Sequence, residues 1–225
     1  MRNLFPDWLL EAPRFRDRFD AGRQLARQLP PGLYRDAVVV GLARGGVQVG
    51  AVIAEALDAP LDVVAVRKVR HPFQPEYALG AVAPGRDGVY VRGRDGLTAE
   101  QVEAAVARAR AEADELDRTL HDASPPLELA GRTVVLVDDG LATGATMVAA
   151  ARWAREREAA RVVAAVPVGA VQSMALVAPE LDDIVCAYEP PNLFAVGVWY
   201  EDFSPVDDGE VRRLLNAAAA GTAPA

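Results

Sequence analysis

Compact apolar runs and segments of helical period alternate along most of this chain. Ala37 to Leu42, Leu61 to Val66, Thr133 to Val137, Val162 to Val168 and Ile184 to Ala187 are short runs of largely apolar residues and read as buried strands. Helical segments lie between them: Val47 to Leu57, ended near Pro60; Thr143 to Arg157, a loop running into a helix; and a short helix closing at Met174 to Ala178. A strand, helix, strand order predicts right-handed crossovers and an α/β fold with a mainly parallel sheet flanked by helices. Upstream, residues 17–29 place Phe19, Leu25 and Leu29 near helical spacing, and Pro30-Pro31-Gly32 stops that helix. Downstream, the apolar and aromatic run Leu193 to Tyr200 leads to a last helix, Asp207 to Leu215, and the tail 217–225 reads as frayed.

Two stretches break the alternation. Residues 67–83 carry two prolines, several basic side chains and little periodicity, and read as an exposed, mobile loop returning to a short strand. Loops of this kind often cover a ligand. Residues 86–127 form an insertion whose centre, Thr98 to about His121, is rich in Ala, Glu and Arg. Thr98 as N-cap with Gln101 three residues on makes a capping box, so one long amphipathic helix is expected, with its charges on a solvated face and Ser124-Pro125-Pro126 ending it.

Composition narrows the function classes. The 225 residues include 24 basic and 32 acidic ones, a net charge of −8, which argues against a general nucleic-acid or anionic-membrane surface. A polyanion would have to be held locally, by backbone amides at a helix N-terminus, a few arginines and a cation. The single cysteine, Cys186, excludes an intramolecular disulfide and reads as a buried apolar filler; with only His71 and His121 there is no zinc-type spacing. The opening MRNLFPDWLLEAPRF interrupts its apolar run with acids and prolines, so neither a signal peptide nor a membrane span is expected, and a cytoplasmic location follows.

Candidate chemistry is concentrated in Thr133 to Ala150, TVVLVDDGLATGATMVAA. A buried strand ends in two adjacent carboxylates, and a small-residue loop then opens a helix. Ligands of open parallel sheets bind at that edge. Asp138 and Asp139 can accept hydrogen bonds from a sugar diol, while the loop Leu141, Ala142, Thr143, Gly144, Ala145 and Thr146 offers backbone N–H groups, two hydroxyls and a helix N-terminus to a phosphate monoester. Diol and phosphate together describe a ribose 5-phosphate. Upstream, Gly41 to Gly46 (GLARGG) joins a strand to a helix, and its glycines let backbone amides approach phosphates while Arg44 adds a forked cation. Its glycines do not fall at G-x-G-x-x-G and no G-K-[ST] follows, which disfavours a dinucleotide site or a P-loop.

VVLVDDGLATGAT, Val134 to Thr146, resembles the 5-phosphoribosyl-1-pyrophosphate (PRPP) signature of the type I phosphoribosyltransferases across thirteen consecutive positions. The resemblance implies one phosphoribosyltransferase domain over 1–225, with residues 1–32 in a small hood and 86–127 as a helical insertion. It implies that Asp138 and Asp139 hold the ribose hydroxyls, that Ala142 to Thr146 hold the 5-phosphate, and that Arg44, Gly45 and Gly46 form the pyrophosphate loop. Arg67, Lys68 and Arg70 would enter the family's flexible catalytic loop, Lys68 helping the departing pyrophosphate. Phe194 to Phe203 is similar to the base-binding segment of hypoxanthine phosphoribosyltransferases, with one residue more between Gly197 and Asp202. Phe194 or Trp199 would then stack on the acceptor, and Asp202 would hold metal-bound water.

The activity so implied is pentosyl transfer, in which a nitrogenous acceptor, such as a nucleobase, attacks the anomeric carbon of PRPP as pyrophosphate leaves, with Mg²⁺ as cofactor. That is a glycosyltransferase of nucleotide metabolism, and homodimers are common in the family. A PRPP-binding regulatory protein without turnover is the alternative. Departures from the hypoxanthine enzymes are expected to matter. Where those carry an aspartate near the purine nitrogen this chain has Ala142, and where they present a lysine to the exocyclic oxygen it has only the apolar run Val162 to Val168.

Overall fold

In the computed structural model, which describes residues 15–34, 36–122 and 124–221, the apolar runs become strands and the periodic segments helices. The strands are β1 (Ala37–Leu42), β2 (Leu61–Val64), β3 (Arg67–His71), β4 (Gln74–Val82), β5 (Val89–Val91), β6 (Thr133–Val137), β7 (Arg161–Val168) and β8 (Asp183–Tyr188). The helices are α1 (Arg18–Ala26), α2 (Gly45–Leu57), α3 (Ala99–Leu120), α4 (Ala145–Glu156), α5 (Val171–Val177) and α6 (Asp208–Ala219). The expectations for the opening segment 1–14 and the tail end 222–225 lie outside the described residues. The tail begins later than expected, because α6 runs to Ala219.

Five strands form one parallel sheet in the order β2-β1-β6-β7-β8. Gly41 is registered with Val137, and Val137 with Ala165, so the C-terminal ends of β1, β6 and β7 stand side by side. The loops after them therefore gather at one edge. Alternate residues serve opposite faces. Val38, Val40, Val134, Leu136, Val162 and Ala164 pack with Met147, Val148 and Trp153 of α4. Val39, Val135, Val137 and Val163 pack with Val47 and Ile53 of α2, Leu25 of α1 and Leu214 of α6. Each fully buried Val, Leu or Ile contributes roughly 1.5–3 kcal/mol, and the two-sided burial explains why these strands read as unbroken apolar runs.

The mobile loop expected over 67–83 is not what this segment forms. It is the hairpin β3–β4 of an antiparallel sheet ordered β3-β4-β5. Two features hid it. The hairpin tip, Gln74 to Tyr77, is exposed, whereas Leu79 to Val82 is fully buried, so the strand has no single period. A register shift between Val69 and His71 breaks the alternation on the other strand. The buried half lies between two helices: Val69, Leu79 and Val82 meet Ala109 of α3, while Ala81 joins the cluster around α4.

The insertion carries β5 as well as the long helix. Its capping box forms as expected, with Thr98 Oγ accepting from Gln101 N–H at 3.3 Å and Gln101 Oε1 accepting from Thr98 N–H at 2.9 Å. Ala109, Ala113, Leu116 and Leu120 make a buried stripe along α3, which thereby touches both sheets. At its C-terminus the His121 side chain is packed against the main sheet: Nε2 lies 2.9 Å from Asp62 Oδ1 and Nδ1 lies 2.9 Å from the Asp117 carbonyl. Burial opposes the charged imidazolium, but the hydrogen bonds to Asp117 and Asp62 and their charges prevail and push it up to about 10. Cys186 is half-buried, its thiol donating to the Tyr188 carbonyl at 3.2 Å and pushed by burial up to about 12. Among the described residues no helix is long and apolar enough to cross a membrane.

Candidate active site

Asp138 and Asp139 follow directly on the last residue of β6, where the parallel sheet stops. The Asp139 N–H donates to Asp138 Oδ1 at 2.9 Å, which turns the first carboxylate back over the second backbone unit. Burial and then the Asp139 charge push Asp138 well above the ordinary carboxylate range, against the pull of the Asp139 amide, Arg18 and Lys68. Burial raises Asp139 as well, with Arg18 opposing: Arg18 Nε donates to Asp139 Oδ2 at 2.8 Å.

The turn after the aspartates is pinned from behind. Leu141 is buried, its N–H donating to the Val168 carbonyl at 2.8 Å and its own carbonyl accepting from Ala170 N–H at 3.0 Å. Both backbone groups of Leu141 are thus engaged, so it anchors the loop and does not offer the phosphate contact expected of it. Ser173 Oγ donates to the Ala142 carbonyl at 2.6 Å. Gly144 has φ +79°, a left-handed conformation costly for a side chain, and it starts α4 without a side-chain cap. The first amides of α4, from Ala145 and Thr146, have no acceptor within the helix and carry the positive end of its dipole. Ala142 and Thr143 are exposed beside them.

The Gly45-Gly46 pair stands hard against the end of β6. A Cβ on Gly46 would lie 2.3 Å from the Val137 carbonyl oxygen, and one on Gly45 would lie 2.0 Å from Asp139 Oδ2. Only glycine allows α2 to start this close to the carboxylates. Arg44, beside them, is turned to α6: its Nε donates to Asp208 Oδ1 at 2.5 Å. Arg67 adjoins this pair, and burial followed by the Arg44 charge lowers its basicity. Lys68 is exposed and lines a groove of about 620 Å³ with Arg70, Phe73 and Arg108, between the hairpin and α3.

The aromatic segment is arranged differently from its expected use. Trp199 is 4% exposed and stacks on Tyr188 at 6.0 Å, so its ring belongs to the packing around Phe15 and Val168. Phe194 is 69% exposed. Asp202 is exposed and its Oδ1 accepts from both Ser204 N–H (2.9 Å) and Ser204 Oγ (2.5 Å); those bonds hold its carboxyl below the usual range. The residues of this segment that reach the aspartates are others. Tyr200 donates its hydroxyl to the Asp139 carbonyl at 2.6 Å, and Phe203 and Ser204 hold Arg18. Arg18, Tyr200, Phe203 and Ser204 were missed as site residues. One signal was available for Arg18: it stands at helical spacing with Ala21, Gly22 and Leu25, a cation on the buried stripe of α1.

The sequence matches the model of the phosphoribosyl transferase domain over residues 17–186. It is 44% identical over 209 residues to Rv0571c of Mycobacterium tuberculosis (strain ATCC 25618 / H37Rv), whose name gives phosphoribosyl transferase as a provisional assignment; the match covers 91% of this chain and 47% of that protein. The chain therefore spans about half the length of the curated relatives it matches. Among solved structures, it superimposes on TT1426 from Thermus thermophilus with a TM-score of 0.76 at 39% identity, covering 90% of this chain and 97% of that one.

Proposed function

Since the chain belongs to the phosphoribosyl transferase domain family, we propose that it transfers the 5-phosphoribosyl group of PRPP to a nitrogenous acceptor and releases pyrophosphate. One observation carries this reading: a carboxylate pair at the sheet edge is followed within a few residues by a glycine turn that opens the N-terminus of α4. Asp138 and Asp139 accept the ribose hydroxyls. The 142–146 turn takes the 5-phosphate on its amides and hydroxyls, and the Gly45-Gly46 backbone faces the pyrophosphate. As the glycosidic bond breaks, the anomeric carbon gains positive character, which nearby carboxylates stabilise, while basic groups from Arg44, Arg67 and Lys68 meet the charge moving onto pyrophosphate. No enzyme nucleophile is required.

Mg²⁺ fits this donor set in a particular way. The carboxylates at this sheet edge are hard oxygen donors of the kind Mg²⁺ takes, one or two of them serving beside substrate phosphates in such sites. Asp138, Asp139 and, through water, Asp202 are the carboxylates that would attend it. When bound, the ion neutralises charge on the pyrophosphate.

A thermal-shift series tests the reading. PRPP with Mg²⁺ should raise Tm by roughly 5–10 °C at a hundredfold excess over Kd, and PRPP with EDTA should raise it far less. Binding followed by pyrophosphate release with some acceptor supports transfer. Binding with no release from a wide acceptor panel would return the protein to the regulatory alternative.

The acceptor is not expected to be hypoxanthine or guanine. Ala142 offers no base near the nitrogen to be glycosylated, and β7 after Arg161 is wholly apolar and buried, so no cation reaches an exocyclic oxygen from it. Rates with hypoxanthine, guanine, xanthine, adenine, uracil and orotate check this, and a strong preference for either of the first two counts against the assignment.

Asp208 supplies a further test, of the role given to Arg44. Freed from its partner, Arg44 can turn to the pyrophosphate, so Asp208→Asn should tighten Mg·PRPP binding by about two- to fivefold, the scale of a partly exposed ion pair. Weaker or unchanged binding by calorimetry would remove Arg44 from the site.

A further inference from the structure

Arginine rarely sits in a protein interior, yet Arg18 on the first turn of α1 is only 7% exposed. Three partners hold it there. Its Nε donates to Asp139 Oδ2 at 2.8 Å, its Nη1 donates to the Ser204 carbonyl at 2.8 Å, and its guanidinium carbon lies 3.8 Å from the centre of the Phe203 ring. The pair is also walled in. A Cβ on Gly45 would fall 2.0 Å from that same Asp139 oxygen and 2.8 Å from Arg18 Nε. Tyr200, its ring tilted against Phe203 with centroids 4.9 Å apart, fixes the Asp139 backbone through its carbonyl.

Four segments thus converge on one ion pair: α1, the first turn of α2, the end of β6 and the 200–204 segment. A fork with several fixed donors can satisfy a carboxylate, a carbonyl and a ring face at once, which a single ammonium cannot. Stability alone is a weak reason to keep a buried ion pair, since apolar side chains of similar volume often do as well. A reason specific to Asp139 is its orientation toward the ligand. Resting on the phosphoribosyl-transfer reading, we propose that Arg18 is the positioning residue of Asp139, fixing that carboxylate in the orientation that meets the ribose diol. Docking of α1 and of the 200–204 segment then sets the quality of the diol site, although neither segment touches the ribose.

Calorimetric titration of wild type, Arg18→Gln and Arg18→Lys with Mg·PRPP and, separately, with Mg·pyrophosphate tests this, because pyrophosphate has no ribose. Arg18→Gln should lose about tenfold or more in PRPP affinity, the usual cost of removing a partner that orients a ligand-binding side chain, while pyrophosphate affinity stays within about twofold. Arg18→Lys, which keeps the charge without the fork, should lose less; if the glutamine variant does not fold, the lysine variant carries the same comparison. Unchanged PRPP affinity, or equal losses for both ligands, overturns the proposal. Failure of the wild type to bind PRPP would instead overturn phosphoribosyl transfer. The crystal structure of the variant then decides the role of Arg18: a displaced Asp139 carboxylate supports it and an unmoved one defeats it.

Discussion

Asp138→Asn should raise the melting temperature, Asp139→Asn should raise it less, and both should weaken Mg·PRPP binding by about tenfold or more. The different sizes follow from the partners of each carboxylate. Burial and the neighbouring Asp139 charge hold Asp138 well above its ordinary range, so ionising it in the folded state is disfavoured. A carboxylate whose folded pKa is raised subtracts stability once the pH exceeds its unfolded value, about 3.9, and the deficit grows until the folded pKa is passed. An amide removes that deficit and can still accept the Asp139 N–H. The gain should be a few degrees, at about 2–4 °C per kcal/mol for a chain of this size, and larger at pH 7.5 than at pH 4.5. Burial raises Asp139 as well, so Asp139→Asn removes a deficit of the same sign, but it also deprives the buried Arg18 of its countercharge, and its gain in Tm should be smaller than that of Asp138→Asn. Binding falls in both cases because a hydrogen bond to a charged acceptor contributes ~1.5–3 kcal/mol. The double variant should have no measurable turnover. Undiminished PRPP affinity in both variants would remove the aspartates from the site.

His121→Leu should destabilise the fold by about 3–5 kcal/mol, the range for breaking a buried pair and stranding one partner. Here the stranded group is Asp62, only 3% exposed, whose other oxygen already accepts the Leu127 N–H at 2.9 Å. The effect has a defined pH window. The imidazole is pushed up to about 10 in the folded chain against about 6.5 unfolded, so its stabilisation is complete below pH 6.5 and is lost as pH rises through 10. Urea unfolding of wild type and variant at pH 6.5, 8 and 9.5 should therefore show their stabilities converging with pH. A constant difference would mean that the imidazole is not held charged by Asp62 and Asp117. The contact also joins the insertion to β2, so amide exchange in α3 should be faster in the variant.

What the sequence made legible was contiguous. β6, the aspartates and the turn before α4 occupy one short stretch, and the type I resemblance rests on it. The parallel sheet was equally readable, since strands buried on both faces need no period. The failures have physical causes. In the β3–β4 hairpin, an exposed tip and a buried root share the same strands, so neither alternation nor a uniform apolar run exists to be read. The segment 193–203 includes a single 3₁₀ turn, Val196–Trp199, which carries no inside-outside rhythm. Trp199 was accordingly assigned to a ligand when it packs inside, whereas Tyr200 and Phe203 were left out of the site although they support Asp139 and Arg18. Leu141 matched the signature by position, but its N–H is spent on Val168, a partner in the neighbouring strand.

The Arg18 clamp also sets an order of events during synthesis. Its two hydrogen-bond partners lie 121 and 186 positions along the chain, at Asp139 and Ser204. When β6 leaves the ribosome the carboxylate pair exists, but the carbonyl and ring that seat the guanidinium have not yet been made. Such distant contacts are slow to close and contribute nothing until the chain between them is ordered. A nascent chain halted before Phe203 lacks both the ring and the carbonyl that seat Arg18 and the helix α6 that covers one face of the sheet, so the clamp on Asp139 and the last part of the core are completed together, late in synthesis.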